Sequence, residues 1–129
     1  MRYGKIGFGS IVATLFAVLA TSPVLAEGDP AKGEKVFRKC KACHVVNEEK
    51  NRVGPHLVAI IGRSAGAVEG FKYSKAMKDS GITWTEENLT AYLSDPRGFI
   101  KGNRMAFAGL KKEVEIVNVI AYLKQASAQ

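Results

Sequence analysis

The chain is short of the residues from which most small frameworks are built: 129 residues contain two cysteines, two histidines, one tryptophan and four prolines. Both cysteines fall in one C-x-x-C string, so no disulfide framework remains to staple a small domain. Aromatic residues make up 9% of the chain and are not interleaved with its lysines and arginines, which excludes a strand-binding nucleic-acid groove. No stretch alternates with the period of two that marks a half-buried strand, and no internal repeat is visible. The one sustained apolar run, Ile11 to Ala20, is about half the roughly 20 residues a membrane span needs.

That run follows Arg2 and Lys5 and precedes the small residues around Ala26, the order of a secretory signal. Residues 1–26 are expected to be a cleaved signal peptide and 27–129 one domain exported to the periplasm. An uncleaved anchor is the alternative, although folded sequence begins so close to Asp29 that an anchor has almost no tether. Loss of Arg2 and Lys5 lowers the formal net charge of +7 by two and leaves a moderately basic domain. Most of its lysines read as solvated surface.

What the chain does have is Cys40-Lys41-Ala42-Cys43-His44, a C-x-x-C-H string. In an exported protein this is the signature of covalent haem attachment. On a helical turn positions i, i+3 and i+4 share a face, so two thiols and an imidazole meet one flat object. The thiols add across the haem vinyl groups as thioethers, and His44 becomes an iron ligand. A thioredoxin-like redox pair wants a βαβ setting that is missing here. A structural zinc site would need His56 as its fourth ligand. Coincidence is the remaining reading. A domain this small buries a modest core, so a wrapped haem would itself serve as core, and the haem-free chain is expected to fold poorly.

Helical patterning covers the rest. Asp29 caps and Pro30 opens a helix to about Lys39, with Val36, Phe37 and Cys40 on one stripe. Residues 45–70 lack periodicity and are punctuated by Gly54-Pro55, Gly62, Gly66 and Gly70, a loop long enough to need something to wrap on. Tyr73 to Lys78 predicts a short helix. Thr83 and Glu86 resemble a capping box for a helix to Ser94 that Pro96 ends. Residues 96–108 read as irregular. A last helix from Lys111 to about Ala126 carries Ile116, Val119, Ile120 and Leu123 at buried-stripe spacing. The fold class is a small all-α domain of three to five helices with long loops. Its terminal helices are expected to cross, Phe37 against Val119 and Tyr122, with Gly33 permitting the approach.

The other axial position of the iron separates carrier from catalyst, because iron with two protein ligands has no free site. Met105, Met77, His56 and the lysines are the candidates. Met105 sits in the irregular stretch Gly102 to Phe107, which can present a side chain inward, and is preferred to Met77, which reads as core filler in a short helix.

From residue 28 to residue 123 the chain resembles class I cytochromes c, in particular the mitochondrial-like periplasmic cytochrome c-two group. The matching strings are Gly33-Glu34-x-Val36-Phe37, Cys40-x-x-Cys43-His44, Val53-Gly54-Pro55-x-Leu57, Gly62-Arg63, Gly70-Phe71-x-Tyr73-Ser74 and Gly81-Ile82-x-Trp84. They continue in order with Tyr92-Leu93-x-Asp95-Pro96, Met105-x-Phe107-x-Gly109-Leu110-Lys111 and Ile120-Ala121-Tyr122-Leu123. The resemblance implies one haem c on Cys40 and Cys43, with His44 and Met105 as axial ligands. Methionine as a ligand raises the potential. It implies that the Pro55 carbonyl orients the His44 ring and that Tyr92 bonds the methionine sulfur. It places Arg63, Tyr73 and Trp84 at the propionates and Asn103 in the haem pocket. Two departures stand out. Lys101-Gly102-Asn103-Arg104-Met105 replaces the common Pro-Gly-Thr-Lys-Met, which is expected to loosen that loop, and Met77 stands where mitochondrial relatives have asparagine.

By this resemblance the protein is a monomeric, non-enzymatic electron carrier. It would take electrons from a cytochrome bc complex and pass them to a terminal oxidase or a photosynthetic reaction centre. Docking would use a basic face of Lys39, Lys41, Lys101, Arg104, Lys111 and Lys112 around the haem edge, with no nucleic acid and no membrane insertion after processing. The rivals are a haem peroxidase or gas-binding protein with a labile sixth ligand, and a dedicated subunit of one dehydrogenase or reductase.

Overall fold

A computed structural model describes residues 27–128, together with residues 1 and 4; the segment expected to be a signal peptide otherwise lies outside the described residues. Five helices follow in order: α1 (Pro30–Phe37), α2 (Lys75–Asp79), α3 (Glu86–Ser94), α4 (Pro96–Phe99) and α5 (Glu113–Ala126). Among the described residues there is no strand; the one bridge joins Ser64 to Thr83. No helix among them is long and apolar enough to cross a membrane.

Each helix starts where local chemistry favours it. The Asp29 carboxylate accepts from the N–H groups of Ala31 and Lys32, and Pro30 takes the first position, where a missing N–H costs nothing. Ser74 caps α2 through the Met77 N–H. The cap of α3 is Thr85, which accepts from the Asn88 N–H, and not Thr83 as the capping-box pattern suggested. Thr83 is held in the bridge to Ser64, and its carbonyl accepts from the Asn88 side chain. Pro96 lies beyond the end of α3 at Ser94, and it also begins α4, a single turn capped by Asp95 within the stretch expected to be irregular.

Helix α1 crosses α5, bringing the first and last helices together. The rings of Phe37 and Tyr122 lie 5.3 Å apart at 46°, and Val36, Phe37, Ile116, Val119, Ile120 and Leu123 are all buried. A buried aliphatic side chain of this kind contributes roughly 1.5–3 kcal/mol. Asn118, buried in α5, accepts from the Asp29 N–H at 2.8 Å and ties the start of α1 to the seam. Gly33 makes the crossing possible, because a Cβ there would overlap the Asn118 carbonyl and crowd Tyr122. Backbone against backbone cannot yield as a side-chain tip can. Gly33→Ala is therefore expected to cost about 3 kcal/mol, at the upper end of overpacking penalties, and a urea melt of the haem-loaded protein measures it.

Between α1 and α2 the chain runs without helix, stitched by Leu57 N–H to Val45 O (2.7 Å), Gly62 N–H to Trp84 O (2.9 Å) and Trp84 N–H to Arg63 O (2.8 Å). Its middle is pinned by Ala59 N–H to Ser127 O at 2.7 Å, which fastens the loop to the C-terminal end of α5. These loops enclose a central space.

Candidate functional site

A cavity of about 430 Å³ opens at the middle of the domain, lined among others by Cys40, Cys43, His44, Met105, Tyr92 and Trp84. Interiors packed at normal density hold few voids larger than a water molecule. A space this size between α1, α3, α5 and the long loop is a berth for a large apolar group, and most of its walls are hydrophobic.

The turn after α1 presents the C-x-x-C-H string. Cys40 N–H bonds Phe37 O at 2.8 Å, Cys43 N–H bonds Cys40 O at 3.0 Å and His44 N–H bonds Cys40 O at 3.0 Å, so the motif stays coiled and shows both sulfurs and the imidazole to one cavity. Cys40 and Cys43 are not joined in a disulfide. Burial pushes the Cys40 thiol up to about 11, the opposite of the depressed value that makes a redox C-x-x-C reactive. Among the described residues no three His, Cys, Asp or Glu side chains are grouped to hold a metal ion, and His56 is not among the cavity residues, so the zinc alternative has no geometry behind it.

The His44 Nδ1–H donates to Pro55 O at 2.7 Å, which fixes the tautomer and leaves Nε2 as the unprotonated nitrogen. Burial lowers the His44 pKa, the Pro55 bond opposes that, and the nearby Arg63 charge lowers it further, so the ring is held neutral and able to ligate. Gly54 packs on the ring face: a Cβ there would run into the imidazole. That glycine carries a role the motif did not reveal.

Met105 lines the same cavity from the loop between α4 and α5. The Tyr92 hydroxyl donates to its sulfur at 3.7 Å, and burial pushes Tyr92 up to about 12, so the phenol stays a donor throughout the working pH range. Tyr92 is braced by Trp84, 4.8 Å away between ring centroids, and by Phe99 at 6.3 Å.

Arg63 supplies the sharpest test of what the cavity holds. Its two terminal nitrogens donate to Val58 O (2.8 Å) and His56 O (3.0 Å), while its Nε is buried without a hydrogen-bond partner. Burial lowers its pKa. A half-buried guanidinium whose Nε is shut away without a partner calls for an anion. The Tyr73 hydroxyl, on the same cavity wall, accepts from the Val68 N–H at 3.3 Å and keeps its proton to donate. An apolar disc edged with carboxylates, attached through two thioethers, fits these residues: haem c.

Of the residues singled out in the sequence, Cys40, Cys43, His44, Pro55, Arg63, Tyr73, Trp84, Tyr92 and Met105 line the cavity. Asn103, expected in the haem pocket, is not among the lining residues. Its amide is turned to backbone: Nδ2 donates to Pro96 O (2.7 Å) and Ile100 O (2.8 Å), and Oδ1 accepts from Met105 N–H (3.0 Å). The loop expected to be loose is thus braced. Met77, partly buried, faces the cavity, as do Phe71 and the exposed Lys72, whose place on an unpatterned loop left no sequence signal. Of the six basic residues, all exposed, Lys39 and Arg104 stand at the cavity. Lys39 also pairs with Glu115 at 3.1 Å.

An all-α domain with a C-x-x-C-H turn and a central cavity of this kind defines a single-haem c protein. The comparisons agree: the model of the family described as Cytochrome c matches residues 30–127. The chain is 46% identical over 119 residues to cytochrome c2 of Blastochloris viridis, covering 92% of this chain and 94% of that one. It is 52% identical over 94 residues to cytochrome c2 iso-2 of Magnetospirillum fulvum, covering 73% and 98%. The solved structure of cytochrome cH from Methylobacterium extorquens superposes with a TM-score of 0.73 at 43% identity, over 76% of this chain and 99% of that one. The chain belongs to the cytochrome c family, as a class I protein of the cytochrome c2 group. It is an electron-transfer protein and not an enzyme, and its cofactor is covalent haem c.

Proposed function

We propose that this protein is a soluble periplasmic shuttle whose haem is held by Cys40 and Cys43 and ligated by His44 and Met105. The observation that carries the reading is the pairing of two prepared ligands on one cavity: a neutral His44 oriented by Pro55, and Met105 with its sulfur bonded by Tyr92. The haem, when bound, supplies a one-electron Fe(III)/Fe(II) couple. His44 and Met105 would hold the iron between them and leave it no open position, which would shut out bond-making chemistry and leave electron exchange. Tyr92 draws electron density from the sulfur, and the buried apolar walls disfavour the more highly charged oxidised state; both hold the potential up. Arg63 would offset carboxylate charge at the rim, and the Tyr73 hydroxyl would donate a hydrogen bond there.

Residues 1–26 serve as the export signal and 27–129 as the working domain, a monomer. Reduction by a cytochrome bc complex and oxidation by a terminal oxidase or reaction centre take place at the basic rim. Lys39, Lys72 and Arg104 at the cavity, with Lys41, Lys101, Lys111 and Lys112, steer it onto acidic faces. The test is exposure of the reduced protein to carbon monoxide: no binding is expected at neutral pH, whereas tight binding would favour a ligand-exchanging haem protein. The steering has its own check in stopped-flow oxidation by an acidic-faced partner. The second-order rate constant is expected to fall several-fold between low and physiological ionic strength, where the screening length shrinks to about 8 Å; a flat profile would refute the docking face.

A further inference from the structure

The segment that carries Met105 runs from Ile100 to Lys112 with no helix or strand of its own. Lys101 is exposed, and Gly102 is at φ +87°, in the left-handed region, so the backbone that leads to Met105 has little intrinsic stiffness. Backbone bonds hold the segment's ends, Asn103 N–H to Ile100 O at 3.1 Å and Leu110 N–H to Leu93 O at 2.7 Å, and one side chain ties the Met105 backbone itself to α4. The Asn103 Oδ1 takes the Met105 N–H at 3.0 Å, while Nδ2 of the same amide donates to Pro96 O at 2.7 Å and Ile100 O at 2.8 Å. Pro96 is among the most deeply buried side chains, and Ile100 is 4% exposed, so the anchor is the core-facing turn of α4. The three bonds make a rigid bridge from that turn to the Met105 backbone. A second side-chain link from this loop, Arg104 to Lys72 O at 3.0 Å, lies at the exposed surface, where competing water makes it weak.

We propose that Asn103 is a positioning residue that keeps the Met105 sulfur on the iron by bracing the Met105 backbone against α4. The proposal rests on the reading of Met105 as an axial ligand. A ligand on an unbraced loop exchanges more readily with an incoming one, because the loop gains freedom when the sulfur leaves. The brace therefore acts on the equilibrium between bound methionine and a competing base.

Titration of the oxidised, haem-loaded protein with imidazole reads that equilibrium, alongside the far-red absorption that accompanies methionine ligation of ferric haem. Asn103→Ala, which deletes all three bonds, is expected to bind imidazole about tenfold more tightly than wild type, the equivalent of one or two net hydrogen bonds. Asn103→Ser keeps an acceptor two residues before the Met105 N–H but cannot reach both carbonyls, and is expected to fall between the two. Arg104→Ala should stay within about twofold of wild type. If Asn103→Ala fails to assemble, Asn103→Ser carries the test. Wild-type imidazole affinity in the variant that assembles, with only the unfolding midpoint lowered, would show a merely structural role and overturn the brace. A wild-type protein without the methionine signature would overturn the ligand assignment itself, a different failure.

Discussion

Replacement of Met105 by alanine is expected to open the iron and lower the reduction potential by on the order of 0.1 to 0.3 V, a fraction of the roughly 0.8 V that axial ligands span. The thioether is the ligand that favours the reduced state, and its loss admits water or carbon monoxide. Tyr92 makes the change sharper. Its buried hydroxyl has the Met105 sulfur as its partner, and an orphaned buried hydroxyl costs about 1–3 kcal/mol. A polar exogenous ligand that accepts this bond should thus bind the variant well. Electrochemistry and carbon monoxide difference spectra check both halves; a variant with unchanged potential would mean that Met105 is a wall residue.

The second large effect concerns the fold. A chain with Cys40→Ala and Cys43→Ala loses its covalent hold on the haem, and with it the filling of a cavity of about 430 Å³. At about 24 cal/mol per Å³ of retained cavity, a void that size costs on the order of 10 kcal/mol, which matches the whole stability of an ordinary domain. The haem-free chain is therefore expected to lose its native packing, keeping some helix while the α1 and α5 seam loosens. A cooperative, native-like thermal transition in the double variant, read by near-UV circular dichroism, would contradict this.

The two effects explain what the sequence disclosed and what it withheld. The α1 and α5 crossing was legible because its determinants are local and periodic: a capping aspartate, a proline at the first turn, an apolar stripe, and a glycine where two backbones meet. The long unpatterned stretch after His44 was legible as a wrapper but not as a shape, since its path follows a group the sequence does not encode. Thr83 and Thr85 flank Trp84 with similar capping chemistry, and tertiary pairing of Thr83 with Ser64 decided between them. Pro96 was read as a stop, yet it serves equally as the first residue of α4. The contacts that the Asn103 amide makes, to Pro96 O, Ile100 O and the Met105 N–H, are set by the folded turn and carry no sequence signal. Gly54 reads in the sequence as loop punctuation and not as a ring contact, because the ring it accommodates, His44, meets it only in the folded loop.

An equilibrium redox titration of the processed wild-type protein, followed through its visible spectrum, tests the central claim most directly. The expected result is one reversible one-electron transition at a potential in the upper part of the haem range, with methionine signatures in the oxidised form and a reduced form inert to carbon monoxide. A low potential with an open or exchangeable sixth position would contradict it.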